Sequence, residues 1–203
     1  MSAVLEKIVI RQLGRIEYDA ALRAMKSFTL QRQETTPDEL WLVEHPPVYT
    51  LGQGAEAVVV SNAIPVVRSD RGGEITYHGP GQIVLYSLID LARRGIKVKA
   101  FVRLLEQAVI DLVGSRAERR VGAPGVYAGG AKLAALGIRV TRGRSYHGLA
   151  LNVDMDLAPF AAIDPCGFAG LAVTQMKDLG FSMSKQETGD RLARLLCEGI
   201  ENA

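Results

Sequence analysis

The sequence predicts an α+β fold in which a mixed, mainly antiparallel β-sheet is packed by helices. Many short β-branched or alternating segments are separated by turns rich in glycine and proline, which is typical of sheets built from hairpins. Three longer segments instead place apolar residues at helical spacing. The 203 residues, of which 48% are hydrophobic, suit a single domain spanning residues 1–203 with its own core.

The three predicted helices follow from apolar residues that recur every three or four positions. Ile16–Gln33 is the first and Glu187–Ile200 is the last. Val98–Val113 is the clearest, because its stripe is continuous and Gly114 follows as a stop signal. Three helices among many short strands favour the α+β class.

The predicted strands alternate or are rich in β-branched residues, and turn residues bound them. They are Lys7–Gln12, Leu40–Val43, Val48–Leu51, Ile64–Val67, Glu74–His78, Gln82–Ile89, Ala131–Thr141 and Ser145–Val153. The Gly129-Gly130 turn, with Val126 and Tyr127 before it and a strand after it, indicates a hairpin.

Composition excludes several classes of protein. The formal net charge of +2 is too small for the basic field of a nucleic-acid-binding protein. Two cysteines and three histidines form neither a disulfide framework nor a zinc pattern, and we expect no metal or other cofactor. No apolar run is long enough for a membrane span, and the charged N-terminus does not resemble a signal peptide. We therefore expect a cytoplasmic protein.

Two glycine-rich segments match nucleotide-binding motifs only loosely. Gly52–Ala57 has the spacing of a dinucleotide fingerprint, but the valines that follow and then Pro65 leave no room for the helix that this motif requires. Gly125–Gly130 has the spacing of a phosphate loop, but Ala131 stands where that loop has lysine. Neither segment predicts a nucleotide site.

Cys166 is the first candidate for chemistry, because the run Asp164-Pro165-Cys166-Gly167 indicates a turn. Pro165 fixes one backbone dihedral, and Gly167 permits a sharp bend or a close approach to a ligand. Free cysteine is more often a small buried hydrophobe. We favour that interpretation for Cys197, which lies in the last predicted helix beside its leucine stripe.

Lys132 is the second candidate, because it lies within an apolar strand. Strict alternation places its side chain on the same face as Ala134, Leu136 and Ile138. Burial there would lower the pKa of the ammonium group. The alternative is a side chain that reaches solvent at the strand end beside the Gly129-Gly130 turn.

A lysine beside a cysteine would suit acyl transfer. The ammonium favours the reactive thiolate, and a neutral lysine can accept and return a proton. Cys/His pairing is the more common arrangement, so His78 and His147 compete with Lys132 for the role of base. His45, which precedes two prolines, is interpreted as structural.

Six blocks of sequence together resemble the signature of the lipoyl(octanoyl) transferases. They appear in the family order and span most of the chain. The blocks are EHPPVYTLG (Glu44–Gly52), RGGEITYHGPGQ (Arg71–Gln82), APGVY (Ala123–Tyr127), KLAALG (Lys132–Gly137), HGLALNV (His147–Val153) and PCG (Pro165–Gly167).

This resemblance implies the fold shared with biotin and lipoate protein ligases. It implies that Cys166 carries the acyl group as a thioester and that Lys132 tunes or serves that thiol. It also implies an acyl-binding site formed by three segments. Their residues are Arg71, Gly72, Gly73, Glu74, Ile75, Thr76, Tyr77, His78, Ala135, Leu136, Gly137, Gly148, Leu149 and Ala150.

The implied reaction moves an octanoyl group between two proteins, as the first step of endogenous protein lipoylation. The donor would be octanoyl-acyl carrier protein. The acceptors would be the lipoyl domains of 2-oxoacid dehydrogenase complexes and the H protein of glycine cleavage. No ATP is needed, because the donor thioester is already activated. We expect a monomer with no nucleic acid or membrane as partner.

Two alternatives stay open at this point. An ATP-dependent lipoate or biotin protein ligase of the same fold would not need Cys166, and it would need a nucleotide site. A non-catalytic module that binds carrier protein or lipoyl domains would use basic residues to meet an acidic partner. The arginines that could serve are Arg116, Arg119, Arg120, Arg139, Arg142 and Arg144.

Overall fold

The computed structural model of the protein describes residues 7–56, 60, 62–163 and 171–203. The α-helices in these ranges are α1 (Tyr18–Gln31), α2 (Leu91–Arg94), α3 (Val98–Val113) and α4 (Lys185–Glu201). The strands are β1 (Val9–Arg15), β2 (Glu39–Glu44), β3 (Val48–Leu51), β4 (Val66–Arg68), β5 (Ile75–His78), β6 (Gln82–Leu88), β7 (Glu118–Arg120), β8 (Ala123–Ala128), β9 (Ala131–Thr141) and β10 (Arg144–Asn152).

Two sheets form the frame of the described part of the chain. The larger has seven strands in the order β1-β2-β6-β10-β9-β8-β7, and the smaller has three in the order β4-β3-β5. In the larger sheet β1 and β2 are parallel and the other neighbours are antiparallel. The predicted α+β class and its mixed, mainly antiparallel sheet are confirmed.

The two faces of the larger sheet are covered by different elements. On one face, Phe101 and Leu105 of α3 and Leu192 and Leu196 of α4 belong to the main apolar core. On the other face, α1 packs through Ala21 and Met25 on side chains of β2, β6 and β10. Since β2, β6 and β10 show apolar residues to both sides, these central strands are buried along almost their whole length.

The three predicted helices are present with small changes at their ends. Val98–Val113 has the predicted bounds. The last helix begins earlier than predicted because Ser184 and Glu187 form a capping box, in which each side chain accepts the other residue's main-chain N–H. None of the helices within the described residues is long and apolar enough to cross a membrane.

The predicted hairpin is present, but one of its strands carries an extra residue. The pairs Ala128–Ala131 and Tyr127–Lys132 are in register, whereas the next pair is Val126–Ala134. Leu133 is therefore a β-bulge, which shifts the alternation of side chains along β9 by one position. This shift determines where Lys132 points.

Among the α-helices and strands, two elements were not predicted. The short strand β7 consists of charged, exposed residues at the edge of the sheet, and charged side chains are common on such edges. The single turn of α2 is capped by Asp90, whose carboxylate accepts the main-chain N–H of Arg93. Neither element has a periodic apolar pattern that the sequence alone reveals.

Candidate active site

Lys132 is buried, with 3% of its surface exposed, but on the opposite face from the one predicted. Leu133 and Ala134 both belong to the main apolar core beneath α3. The Nζ of Lys132 instead lies 5.4 Å from the centre of the Tyr127 ring. The prediction that Lys132 shares a face with Ala134 was wrong because the bulge at Leu133 shifts the alternation. Lys132 therefore lies on the same face as Ala135.

Gly125 of β8 leaves the space that the Lys132 side chain occupies. A Cβ at Gly125 would lie 2.8 Å from the Cε of Lys132 and 2.9 Å from the carbonyl oxygen of Ala134. The φ of Gly125 is +141°, which L side chains rarely adopt. Space and backbone conformation both require glycine here, in the predicted APGVY block.

Glu106 of α3 holds Gly125 from the other side. Its Oε1 accepts the main-chain N–H of Gly125 at 3.1 Å, and its Oε2 forms an ion pair with Nε of Arg119 at 3.1 Å. The residue is 6% exposed. Glu106 was not among the predicted site residues, although a charged residue at helical spacing between Val102 and Val109 is a detectable signal.

Main-chain hydrogen bonds join Lys132 to the segment that follows residues 164–170. Lys132 donates its N–H to Ala172 at 2.8 Å and accepts the N–H of Thr174 at 2.9 Å. Val173 and Ile163 pack with one apolar cluster beside the smaller sheet. Cys166, like Pro165 and Gly167, lies outside the described residues.

A cavity lies between the larger and the smaller sheet, on the Lys132 face of β9. Its empty volume, including the part open to solvent, is about 490 Å³. Of the predicted acyl-binding residues, all but Gly72 and Tyr77 line it. Tyr77 instead packs against Phe160, at a ring-centre distance of 5.4 Å. The prediction did not include four further lining residues, Tyr18, Val84, Tyr86 and His147.

Glycines permit the close main-chain contacts around this cavity. A Cβ at Gly148 would lie 2.1 Å from the carbonyl oxygen of Leu85, and one at Gly137 would lie 2.7 Å from that of Gly72. Real Cβ atoms essentially never show such distances, so a larger residue at either position would displace a neighbouring strand or loop.

Arg71 fixes the loop that forms one wall of the cavity. Its Nη2 donates to the carbonyl oxygen of Thr50 at 2.5 Å, its Nε donates to the Thr50 hydroxyl at 3.1 Å, and its Nη1 donates to the carbonyl oxygen of Gly72 at 3.0 Å. The guanidinium thus ties β3 to the RGG segment. Charge-assisted bonds of this kind give a rigid wall.

The three histidines of the chain lie together behind and beside the cavity. The ring centres of His45 and His78 are 5.8 Å apart, and Tyr86 contacts both His45 and His147. No group of three or more His, Cys, Asp or Glu within the described ranges could hold a metal ion. Each ring is held by hydrogen bonds to polar partners of its own.

His45 and His78 each have partners at both ring nitrogens. His45 lies between the carbonyl oxygen of Ile16 and the hydroxyl of Tyr86, both at 2.7 Å. His78 lies between Gln82 at 2.7 Å and Thr50 at 3.3 Å. Burial lowers the pKa of both, and that of His78 to about 3 with a contribution from nearby His45. Both rings are neutral near pH 7.

His147 is held in an unusual backbone conformation, with a φ of +61° in the middle of β10. Its Nε2 lies 2.9 Å from Oδ1 of Asp70, whose other oxygen accepts the hydroxyl of Tyr146 at 2.6 Å and pairs with Lys26 at 3.0 Å. Burial lowers the pKa of His147 although Asp70 opposes this shift. Its Nδ1 is buried and has no partner among the described residues.

Cys197 lies in α4 and is half-buried against the main core. Burial raises the pKa of its thiol to about 11, which disfavours the thiolate. The structure agrees with the interpretation of Cys197 as a packing residue.

Most of the arginines singled out in the sequence contact groups of this chain. Arg144 pairs with Asp90, and Arg119 with Glu106. Arg116 bonds the carbonyl oxygen of Leu179, Arg120 donates to Gly130, and Arg139 donates to Gln53. These side chains already form contacts within the chain, so an acidic partner that bound them would have to compete with those contacts.

Comparison with known proteins assigns the sequence to a group of acyl-handling enzymes. A family model described as the lipoyl protein ligase A/B catalytic domain matches residues 17–196. The octanoyltransferase of Thiobacillus denitrificans is 57% identical over 201 residues, which cover 97% of this chain and 90% of that protein. The octanoyltransferase of Dechloromonas aromatica is 54% identical over 198 residues, covering 95% and 97%.

Solved structures share the architecture at low sequence identity. A crystal structure of lipoate-protein ligase A bound with ATP has a TM-score of 0.77 at 16% identity, over 97% of this chain and 86% of that one. Biotin protein ligase from Aquifex aeolicus in complex with biotin and ATP has a TM-score of 0.58 at 7% identity, covering 97% and 71%. These likenesses confirm the predicted fold.

Proposed function

The chain belongs to the lipoyl protein ligase A/B catalytic domain family, and we propose that it is an octanoyltransferase. It takes an octanoyl group from acyl carrier protein and transfers it to the acceptor lysine of lipoyl domains, including those of 2-oxoacid dehydrogenase complexes and the glycine cleavage H protein. The observation that carries the proposal is an identity of 57% to a curated octanoyltransferase over 97% of this chain. We expect it to act as a cytoplasmic monomer.

The first step of the proposed reaction forms an acyl-enzyme. The thiolate of Cys166 attacks the carbonyl carbon of the donor thioester, a tetrahedral oxyanion forms, and the carrier's thiolate leaves. Lys132 takes the proton of the Cys166 thiol and returns it to the leaving thiolate, so that charge and protons balance. One thioester is exchanged for another, so this step is close to neutral in free energy.

The second step releases the product. The neutral amine of the acceptor lysine attacks the acyl-Cys166 thioester, and the amine proton passes to the Cys166 sulfur as the C–S bond breaks. The amide is more stable than the thioester, and this difference drives the overall transfer. Because the first product leaves before the second substrate reacts, the kinetics are ping-pong.

Three features of the described residues support these roles. Lys132 is buried on the face of β9 that also borders the cavity. The chain that follows the Cys166 segment is hydrogen-bonded to Lys132 itself. His78, which the sequence left as a competing base, has both ring nitrogens engaged and a pKa lowered to about 3, so it is poorly suited to accept a proton near pH 7.

The experiment incubates the protein with octanoyl-acyl carrier protein, without ATP, and measures intact mass. We expect an octanoyl adduct that hydroxylamine removes, since hydroxylamine cleaves thioesters. Cys166→Ser abolishes the adduct, whereas the matched control Cys197→Ser keeps it. Addition of a lipoyl domain to the isolated acyl-enzyme moves the octanoyl group to that domain.

Three other outcomes would point elsewhere. An unchanged adduct in Cys166→Ser would overturn the thioester role. Labelling of the lipoyl domain by free octanoate and ATP, with no transfer from carrier protein, would favour a ligase, which the fold shared with ATP-bound lipoate-protein ligase A makes the second candidate. Binding of both proteins without turnover would indicate a non-catalytic module.

A further inference from the structure

We infer that Glu106 is a positioning residue for Lys132, acting through the main chain of Gly125. The inference rests on the proposed function, in which Lys132 moves protons to and from Cys166. Glu106 lies in the middle of α3, on the opposite side of β8 from the Lys132 side chain. No direct contact between the two side chains is required.

The first link is the hydrogen bond from Gly125 to Glu106. Gly125 has a φ of +141°, which no ordinary strand residue adopts, and its N–H points to the Oε1 of Glu106 at 3.1 Å. A buried N–H without a partner is costly, so the carboxylate selects this conformation of Gly125. Arg119 in turn fixes the other carboxylate oxygen at 3.1 Å.

The second link is the contact between Gly125 and the lysine stem. The Cα of Gly125 is so close to Lys132 that a single added carbon atom would lie 2.8 Å from the Cε. The Lys132 side chain therefore packs against the Gly125 main chain through its Cε, the carbon atom that is bonded to Nζ. Any shift of Gly125 would change the position of the amine.

Through these two links, the Glu106 carboxylate determines the position of the Lys132 Nζ. A displacement of about 1 Å in a reacting group can lower a rate roughly 100-fold. Loss of the hydrogen bond between Glu106 and Gly125 would therefore lower the rate of the chemical steps without changing how either protein substrate binds. This pattern separates a positioning role from a purely structural one.

The test compares three variants in the octanoyl-transfer assay. Glu106→Leu removes both acceptor oxygens, and we expect kcat to fall about 10- to 100-fold with the KM for octanoyl-acyl carrier protein within twofold of wild type. Glu106→Gln keeps an oxygen that can accept the Gly125 N–H, and we expect it to restore kcat to within about threefold. Arg119→Ala keeps the Glu106–Gly125 bond and should resemble Glu106→Gln.

A spectroscopic readout keeps the test decisive if Glu106→Leu folds poorly. In protein labelled with ¹³C at the lysine ε-carbons, we expect the Lys132 resonance, assigned with Lys132→Met, to shift in Glu106→Ala and to stay close to its wild-type position in Glu106→Gln. Equal kcat in wild type and Glu106→Leu, or an unmoved Lys132 resonance in Glu106→Ala, would overturn the inference. Absence of octanoyl transfer by the wild type would instead overturn the proposed function.

Discussion

The two ends of the candidate site are held in different ways. At the lysine end, comprising Lys132, Gly125 and Glu106, the main chain sets the geometry through a bulge, a glycine and hydrogen bonds to residues 172–174. At the histidine end, comprising His78 and His147 with their polar partners, a network of buried side chains does so. Substitutions at the lysine end should therefore alter activity, and those at the histidine end should alter pH-dependent stability.

The largest effect is expected when the amine of Lys132 is removed. Lys132→Ala should lower kcat roughly 10²- to 10⁴-fold, the usual range for loss of a group that transfers protons. Lys132→Met, which keeps the length of the stem, should lose as much. Turnover with octanoyl-acyl carrier protein and thermal unfolding are measured together. If Lys132→Met stayed active, packing of the stem would explain the contacts of Lys132 and no chemistry would be needed.

The next effect tests whether the main chain positions that amine. Gly125→Ala should lower kcat about 100-fold, because the new methyl group would overlap the Cε of Lys132 and the Ala134 carbonyl oxygen. Gly129→Ala is the matched control in the same hairpin, since the φ of Gly129 is +55° and no atom of the described residues lies within 4 Å of an added Cβ. It should cost about 1 kcal/mol of stability and keep its activity. Similar losses in both variants would argue against the special role of Gly125.

The contrast between the two ends also explains what sequence could predict. Periodicity predicted α3, because a regular element repeats a local pattern, and the Gly129-Gly130 turn predicted the hairpin. The resemblance to a known family supplied 12 of the 16 residues that line the cavity. The sequence did not predict on which side of the sheet Lys132 lies. The bulge at Leu133 adds one residue to the strand, and the pattern of apolar residues does not reveal it. Glu106 was missed because its partner, Gly125, is distant in the chain. The side-chain network around His147 depends on tertiary contacts in the same way.

The smallest effect is on stability at mildly acidic pH, and it isolates the histidine end. The folded pKa of His78 is about 3, whereas an unfolded histidine titrates near 6.5. The unfolded chain therefore binds the proton first as pH falls, and stability that is complete above about pH 6.5 is lost progressively toward pH 3. By pH 5, His78 alone should lower the free energy of unfolding by about 2 kcal/mol. Asp70, whose pKa is lowered, would contribute only below about pH 4.

Urea unfolding of wild type and His78→Asn at pH 7 and pH 5 checks this expectation. The asparagine amide can replace the ring N–H that donates to Gln82 but does not titrate. The variant should thus lose about 2 kcal/mol less than wild type between the two pH values, whatever its stability at pH 7. The groups that face His78, namely His45, His147 and Arg71, stay in place, so the comparison isolates one titration. An equal loss in both proteins would show that His78 is not held neutral by burial, and it would remove the distinction between the two ends of the candidate site.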